Sequence, residues 1–352
     1  MPRPDQSSLS HPDAVDTSLS QAGETPSSPL RIATRESPLA LWQARHVANL
    51  LAEHGILTKI VPMVSSGDVD MRPIDGKRSV GVFTKRIQQA LLEDEGDIAV
   101  HSMKDLPTEV HPQLVMIASP ERETVADCLV SLSGASLDSL PKSARIGTGS
   151  RRRAAQLLRN RPDLEVLPIR GNVQTRLAKM RDGEFDAIVL AAAGIERLEM
   201  HDLPRFELPL DVMLPAPGQG ALAIEVRSDD SAALAGVCQI NVPRSAACTL
   251  AERTLLSDLH GGCLAPIAAL ATISRSGSQS DSVSGDAGDA AHQIRLVARV
   301  LSLDGKECLE CESSSPIELE SADWKTSAIN LGRSVGKMLI DQGAHPLIQA
   351  GR

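Results

Sequence analysis

Alternation constrains this chain more than any other feature. From Leu30 to Leu198, short apolar runs exchange with segments of helical period. Most of the exchanges pass through a turn of small polar residues and arginine. Residues 30–34, 56–64, 97–100, 144–146, 165–169 and 186–191 read as strands. Residues 39–54, 83–92, 151–159 and 173–180, and a segment ending at Leu198, read as helices. Ser37 and Pro38 supply an N-cap and a first-turn proline for the first helix, and Gly55 ends it. Strands alternating with helices predict mostly parallel sheets covered on both faces.

The pattern changes toward the end. After Leu214-Pro215-Ala216-Pro217-Gly218-Gln219-Gly220 comes one more strand, 221–226. A helix at 246–259, strands at 267–273, 294–303 and 308–312, and a closing helix at 324–342 then predict an α+β unit on an antiparallel sheet. Residues 65–79, with Gly67, Pro73 and Gly76, read as a long functional loop. Residues 274–291 are rich in Ser, Gly and Asp and read as a disordered insertion. Residues 1–29 have no apolar run, so they read as a disordered tail and not a secretory signal.

Composition excludes several function classes. The 352 residues include Phe 3, Trp 2 and Tyr 0, so the core must be aliphatic and base stacking has few rings to use. A net charge of -9 argues against nucleic acid or an anionic membrane as partner. No apolar run is long enough to span a bilayer. Six cysteines without a signal fit a reducing cytoplasm. Yet Arg outnumbers Lys about threefold, and Arg grips carboxylate or phosphate with a two-pronged fork. Acidic charge overall with local arginine clusters points to a focused anion site.

The turns say where. Thr148, Ser150, Arg152 and Arg153 sit at one helix start, Arg170, Asn172 and Arg176 at another, Arg35 and Ser37 at a third. Helix starts offer unpaired N–H groups and a positive dipole end, and in open α/β sheets they gather at the carboxyl ends of strands. His101-Ser102-Met103-Lys104-Asp105 follows an apolar strand. Its carboxylate suits cation stabilisation or proton transfer, or it makes an Asx-type turn before Pro107. His101 alone reads as a structural hydrogen-bonding histidine. Cys263, after two glycines, is either an accessible nucleophile or a small buried hydrophobe. Cys308-Leu309-Glu310-Cys311 lacks the second ligand pair a zinc site needs and lies in a strand-like stretch, so it reads as structural. No metal site is expected.

Together these stretches closely resemble the porphobilinogen deaminase (hydroxymethylbilane synthase) family. The resemblance rests on 31–44 (RIATRESPLALWQA), 97–107 (DIAVHSMKDLP), 147–153, 170–177 (RGNVQTRL), 214–225 (LPAPGQGALAIE) and Gly261-Gly262-Cys263, in the family's order. It implies an α/β protein of three domains. Two αβ domains resemble the lobes of type II periplasmic binding proteins, and a C-terminal α+β domain carries the cysteine. The implied boundaries are 30–121 with 220–240 for domain 1, 122–219 for domain 2 and 241–352 for domain 3.

By the same resemblance, Cys263 holds a dipyrromethane cofactor through a thioether. Porphobilinogen units then join this primer with loss of ammonia, and hydrolysis frees the linear tetrapyrrole. Primer and added units carry about a dozen carboxylates, which matches forks at several turns. Lys104, Asp105, Thr148, Ser150, Arg152 and Arg153 would hold the cofactor. Arg35, Ser37, Ser102, Arg170, Asn172, Arg176, Arg197, Gln219 and Phe83 would meet substrate and chain. Asp105 matches the catalytic aspartate, placed to stabilise the cationic azafulvene left when ammonia departs. Val80 stands where the family's mobile loop usually carries lysine. A cytoplasmic monomer is implied. The alternative is a non-catalytic two-lobed anion-binding protein, which needs neither Cys263 nor a third domain.

Overall fold

The computed structural model describes residues 28–64, 84–262, 265–275 and 292–350. Cys263, Phe83, Val80, most of the N-terminal tail and residues 276–291 of the expected insertion lie outside them.

The first sheet has five strands in the order β2-β1-β3-β10-β4: Thr58–Met63, Leu30–Arg35, Ile98–Ser102, Leu222–Arg227 and Leu114–Ala118. Helices α1 (Pro38–Glu53) and α2 (Lys85–Leu92) link its parallel strands, and α6 (Ser231–Val237) follows β10. The second sheet has the order β7-β6-β8-β5-β9: Glu165–Leu167, Arg145–Gly147, Ala187–Ala191, Asp127–Val130 and Arg205–Glu207. Its helices are α3 (Arg151–Asn160), α4 (Val173–Arg181) and α5 (Ala192–Arg197).

The two sheets share one topology, which the sequence showed only as a general likeness of two halves. The expectation of mostly parallel sheets holds for four of the five strands in each, with one strand reversed. β1 pairs parallel with β2 and β3, but β10 runs antiparallel to β3 and β4. β6 likewise pairs parallel with β7 and β8, while β5 runs antiparallel to β8 and β9. The reason is connectivity. β5 enters the second sheet directly from β4 of the first, and β10 returns from the second sheet to the first. Each lobe therefore holds a strand delivered from its neighbour, entering against the local direction.

Both faces of each sheet are covered, as the runs predict. Along β1 and β3, Ile32 and Ile98 pack on one face, and Ala33 and Ala99 on the other. Leu129 and Val189 face one core of the second lobe, and Cys128, Val130 and Ile188 the other. Side chains alternate across a strand, so an unbroken apolar run is what a sheet buried twice requires.

The C-terminal domain is an antiparallel sheet, β11 (Ile267–Arg275), β12 (His292–Leu301) and β13 (Cys308–Ile317), with α7 (Pro243–Asp258), α8 (Trp324–Asp341) and α9 (Ala344–Ala350). Ser274 and Arg275, read as the start of the insertion, instead continue β11 opposite Gln293 and His292. With so few aromatics, the helices pack through small residues. A Cβ on Gly332 of α8 would sit 2.5 Å from the Ala251 carbonyl of α7. Cys308 and Cys311 pair with Leu301 and Ala298 along β13 and so face opposite ways. Cys311 enters the core while Cys308 does not, in keeping with a structural reading.

Candidate functional site

The arginine-bearing helix starts and the Lys104-Asp105 turn fall at the carboxyl ends of parallel strands. Ser37 caps α1 after β1, its Oγ accepting from Ala40 N at 3.4 Å, with Pro38 in the first turn. Thr148 and Ser150 follow β6. Thr148 Oγ1 accepts from Ser150 N at 3.2 Å, and Ser150 Oγ caps α3 by accepting from Arg153 N at 3.4 Å. Asn172 caps α4, its Oδ1 accepting from Thr175 N at 2.9 Å, and Arg176 Nε donates to Gly171 O at 2.9 Å. Lys104 and Asp105 lie in a 3-10 turn that prolongs β3.

Arg152 and Arg153 converge on one buried group the sequence reading passed over, Asp127 at the start of β5. Arg152 Nη2 donates to Asp127 Oδ2 at 2.8 Å, and Arg153 Nη2 and Nε donate to Oδ1 at 2.6 and 3.1 Å. Gln219 Nε2 adds a bond to Oδ1 at 2.9 Å, and Gln219 Oε1 accepts from Lys104 Nζ at 3.3 Å. Burial alone would raise the proton affinity of Asp127. The two guanidiniums outweigh it and hold the carboxyl far below its ordinary range. Each guanidinium also reaches a carbonyl, Arg152 Nη1 to Leu214 O and Arg153 Nη1 to Val189 O, at 2.6 and 3.0 Å.

This network joins the lobes. Lys104 belongs to the first lobe, Asp127 and both arginines to the second, and Gln219 to the crossing segment between them. Arg197 makes a second junction, donating to Gly220 O at 2.6 Å and lying 5.8 Å over the Trp42 ring of α1. Asp105 stays exposed in the cleft, within electrostatic reach of Lys104 and of Arg176 across it. Arg35, Gln43, Ser102 and Asp105 line one small cavity, where Gln43 Nε2 donates to Ser102 Oγ at 2.8 Å.

Positive charge exceeds what the protein neutralises. Burial, then repulsion from Arg153, pushes Lys104 down to about 8. The same causes in the same order push Arg176 down to about 10, and burial does so for Arg197. Arg152 Nε is buried with no partner among the described residues. A cleft of mutually repelling cations suits a ligand bearing several carboxylates, as dipyrromethane does. No group of His, Cys, Asp and Glu suited to hold a metal occurs among the described residues.

A third carboxylate, Glu252 on α7, was also missed. It is fully buried and accepts from Arg122 Nη1 and Nη2 at 2.7 and 3.0 Å, from Gly218 N at 2.6 Å and from Ala271 N at 2.8 Å. A carboxylate flanked by apolar residues was the available signal for Asp127, between Ala126 and Cys128; Glu252, followed by Arg253, gave none. Its partner was not readable, because Arg122 is 130 positions from Glu252.

Fold and site thus define a class: a two-lobed αβ protein with a basic cleft between its lobes and an α+β domain appended. Comparison with known proteins narrows it. Residues 30–235 match the family described as "Porphobilinogen deaminase, dipyromethane cofactor binding domain", and 246–341 match "Porphobilinogen deaminase, C-terminal domain". A porphobilinogen deaminase of Corynebacterium efficiens is 40% identical over 319 residues, covering 91% of this chain and 99% of that protein. One of Xanthomonas oryzae pv. oryzae is 42% identical over 327 residues, covering 91% and 99%. One of Chlorobaculum tepidum is 42% identical over 321 residues, covering 89% and 97%. Among solved structures, the methionine binding protein MetQ aligns with a TM-score of 0.39 at 11% identity, covering 60% of this chain and 89% of that one. The chain belongs to the porphobilinogen deaminase family, an enzyme family of tetrapyrrole formation, and its cofactor is dipyrromethane.

Proposed function

We propose that the chain is a transferase that condenses four porphobilinogen molecules on a dipyrromethane primer and releases hydroxymethylbilane by hydrolysis. The surplus of positive charge between the lobes carries this reading: Arg153 repels both Lys104 and Arg176 in a half-buried site that polycarboxylate ligands would neutralise. A non-catalytic anion-binding protein is disfavoured by family membership and by the appended domain.

Each residue has a role. Cys263 anchors the primer, which supplies a fixed pyrrole terminus for chain growth. Lys104, Thr148, Ser150, Arg152 and Arg153 grip the primer's carboxylates from the mouths of β3 and β6. Arg35, Ser37, Ser102, Arg170, Asn172, Arg176, Arg197, Gln219 and Phe83 serve the incoming substrate and the lengthening chain. Asp105, held by the 3-10 turn and left exposed to the cleft, offers its carboxylate to the positive character that develops as ammonia leaves porphobilinogen. A carboxylate already fixed in place needs no reorganisation to do so. It is also placed to take or return a proton at the reacting carbon.

Domain 1 spans 30–121 and 220–240, domain 2 spans 122–219 and domain 3 spans 241–352. The enzyme works as a cytoplasmic monomer; the five described cysteines, all free thiols, support the reducing compartment. No helix among the described residues is long and apolar enough to cross a membrane.

Intact mass tests the anchor. The purified protein carries an adduct of two linked pyrroles, and Cys263→Ser loses it; an unmodified mass in an active preparation defeats the assignment. Asp105→Asn keeps the fold and the adduct but loses nearly all turnover, at least about a hundredfold. Turnover close to the parent's in that variant defeats the role given to Asp105.

A further inference from the structure

β3 brings more than Asp105 to the cleft. His101 lines the same cavity as Arg35, Gln43, Thr84, Ser102 and Asp105, and the cavity encloses about 30 Å³. That is room for about one water. The His101 side chain is 3% exposed, and its Nε2 lies 3.0 Å from Oε2 of Glu225, itself 5% exposed. Glu225 stands on β10, two positions beyond Ala223, which pairs with His101, so both side chains share one face of the sheet. Gln88 of α2 closes the arrangement, its Nε2 donating to both Glu225 oxygens at 3.2 and 3.0 Å.

Stability does not explain this arrangement. A buried carboxylate and its polar partner are costly to desolvate and commonly no better than apolar side chains of similar volume. The strand neighbours Ala99, Val100 and Ile224 are apolar and buried. Burial would raise the proton affinity of Glu225, yet His101, Gln88 and Arg253 together hold it below the ordinary carboxylate range. The carboxylate therefore stays ionised in the core. It faces Nε2 of the imidazole at 3.0 Å, a contact of charge and proximity in which Nε2 completes no hydrogen bond among the described residues. The cavity wall gives a second sign. Thr84, 2% exposed, has an Oγ1 with no partner among the described residues. A water in the cavity would satisfy it.

We propose that Glu225, acting through His101, is a positioning residue for the condensation reaction, placing a fixed negative charge against the imidazole that backs the cavity Asp105 lines. Asp105 then meets the developing positive charge with its surroundings set in advance. The charged groups around His101 are Glu225 from β10, Asp105 from the 3-10 turn and Arg35 from the end of β1, with Arg253 of α7 acting on Glu225. The proposal rests on the catalytic role given to Asp105.

The test uses the full-length, cofactor-bearing enzyme with Glu225→Gln, His101→Gln, the double variant and Asp105→Asn. Glu225→Gln keeps the adduct mass and a KM within about twofold, while kcat falls about tenfold and the acidic limb of the kcat–pH profile moves. His101→Gln gives the same fall, and the double variant is no worse than either single one. If Glu225→Gln does not fold, His101→Gln alone carries the test. An unchanged kcat and pH limb overturns the proposal. So does a lower thermal midpoint with an unmoved pH profile, which marks a structural pair only. Near-parental turnover in Asp105→Asn would separately remove the reading beneath it.

Discussion

Asp105 and Asp127 are a short distance apart in sequence and opposite in circumstance. Asp105 is exposed to the cleft, while Asp127 is fully buried beneath two guanidiniums. Asp127 locks Arg152 and Arg153 in place, so their forks are set before any ligand arrives. Removing its charge leaves two buried cations without a counter-ion. Asp127→Asn should cost about 3–5 kcal/mol, measured by urea denaturation. Its depressed folded pKa also sets a direction with pH. The contribution is complete above the unfolded value of about 4 and is lost as pH falls below it. The parent should therefore lose more stability than Asp127→Asn between neutral pH and about pH 3. Equal acid sensitivity in the two proteins would contradict the pairing.

Helix α3 carries this chemistry at one end and a mechanical contact at the other. The β12–β13 turn docks against it: a Cβ on Gly305 would lie 2.4 Å from Ala155 O and 2.6 Å from Arg159 N. Gly305 also has a φ of +73, which L side chains rarely adopt. Gly305→Ala should thus cost about 2 kcal/mol, read as a lower urea midpoint. It should also loosen the C-terminal domain from the second lobe, read as faster amide exchange in α3. No change in either would show that the turn yields freely. A glycine in a polar turn was legible in the sequence, but its approach to α3 was not, because the helix backbone it meets lies about 150 positions earlier.

Across the whole molecule, two crossing segments join the lobes, and Glu252 ties both to the C-terminal domain. Arg122 comes from the first crossing, Gly218 from the second and Ala271 from β11, all on one carboxylate. Gly220 passes so close to the first crossing that a Cβ would sit 2.4 Å from Glu123 O. Glu252→Gln keeps the shape but leaves Arg122 buried without a counter-charge, at a cost of about 3 kcal/mol. Thermal unfolding should fall accordingly, and limited proteolysis should cut the crossings at 119–126 and 208–221 faster. Unchanged cleavage would mean that the crossings hold without this tie.

What the sequence determined by itself was local: the strands, helices and caps, and the turns that present arginine, serine and Asp105. Ser37-Pro38, Gly55 and Asn172 act within a few residues of themselves, so pattern and cap chemistry suffice to read them. The six motifs carried the family as well. Only the tertiary structure decided which way β5 and β10 run, because strand direction follows from how the chain crosses between lobes. Only it found the partners of the buried charges. Asp127 with Arg152, Arg122 with Glu252 and His101 with Glu225 are each separated by many residues, and each member is tolerated in the core only because folding brings its partner beside it to offset the loss of water. Their physics begins with desolvation, which no stretch of sequence displays.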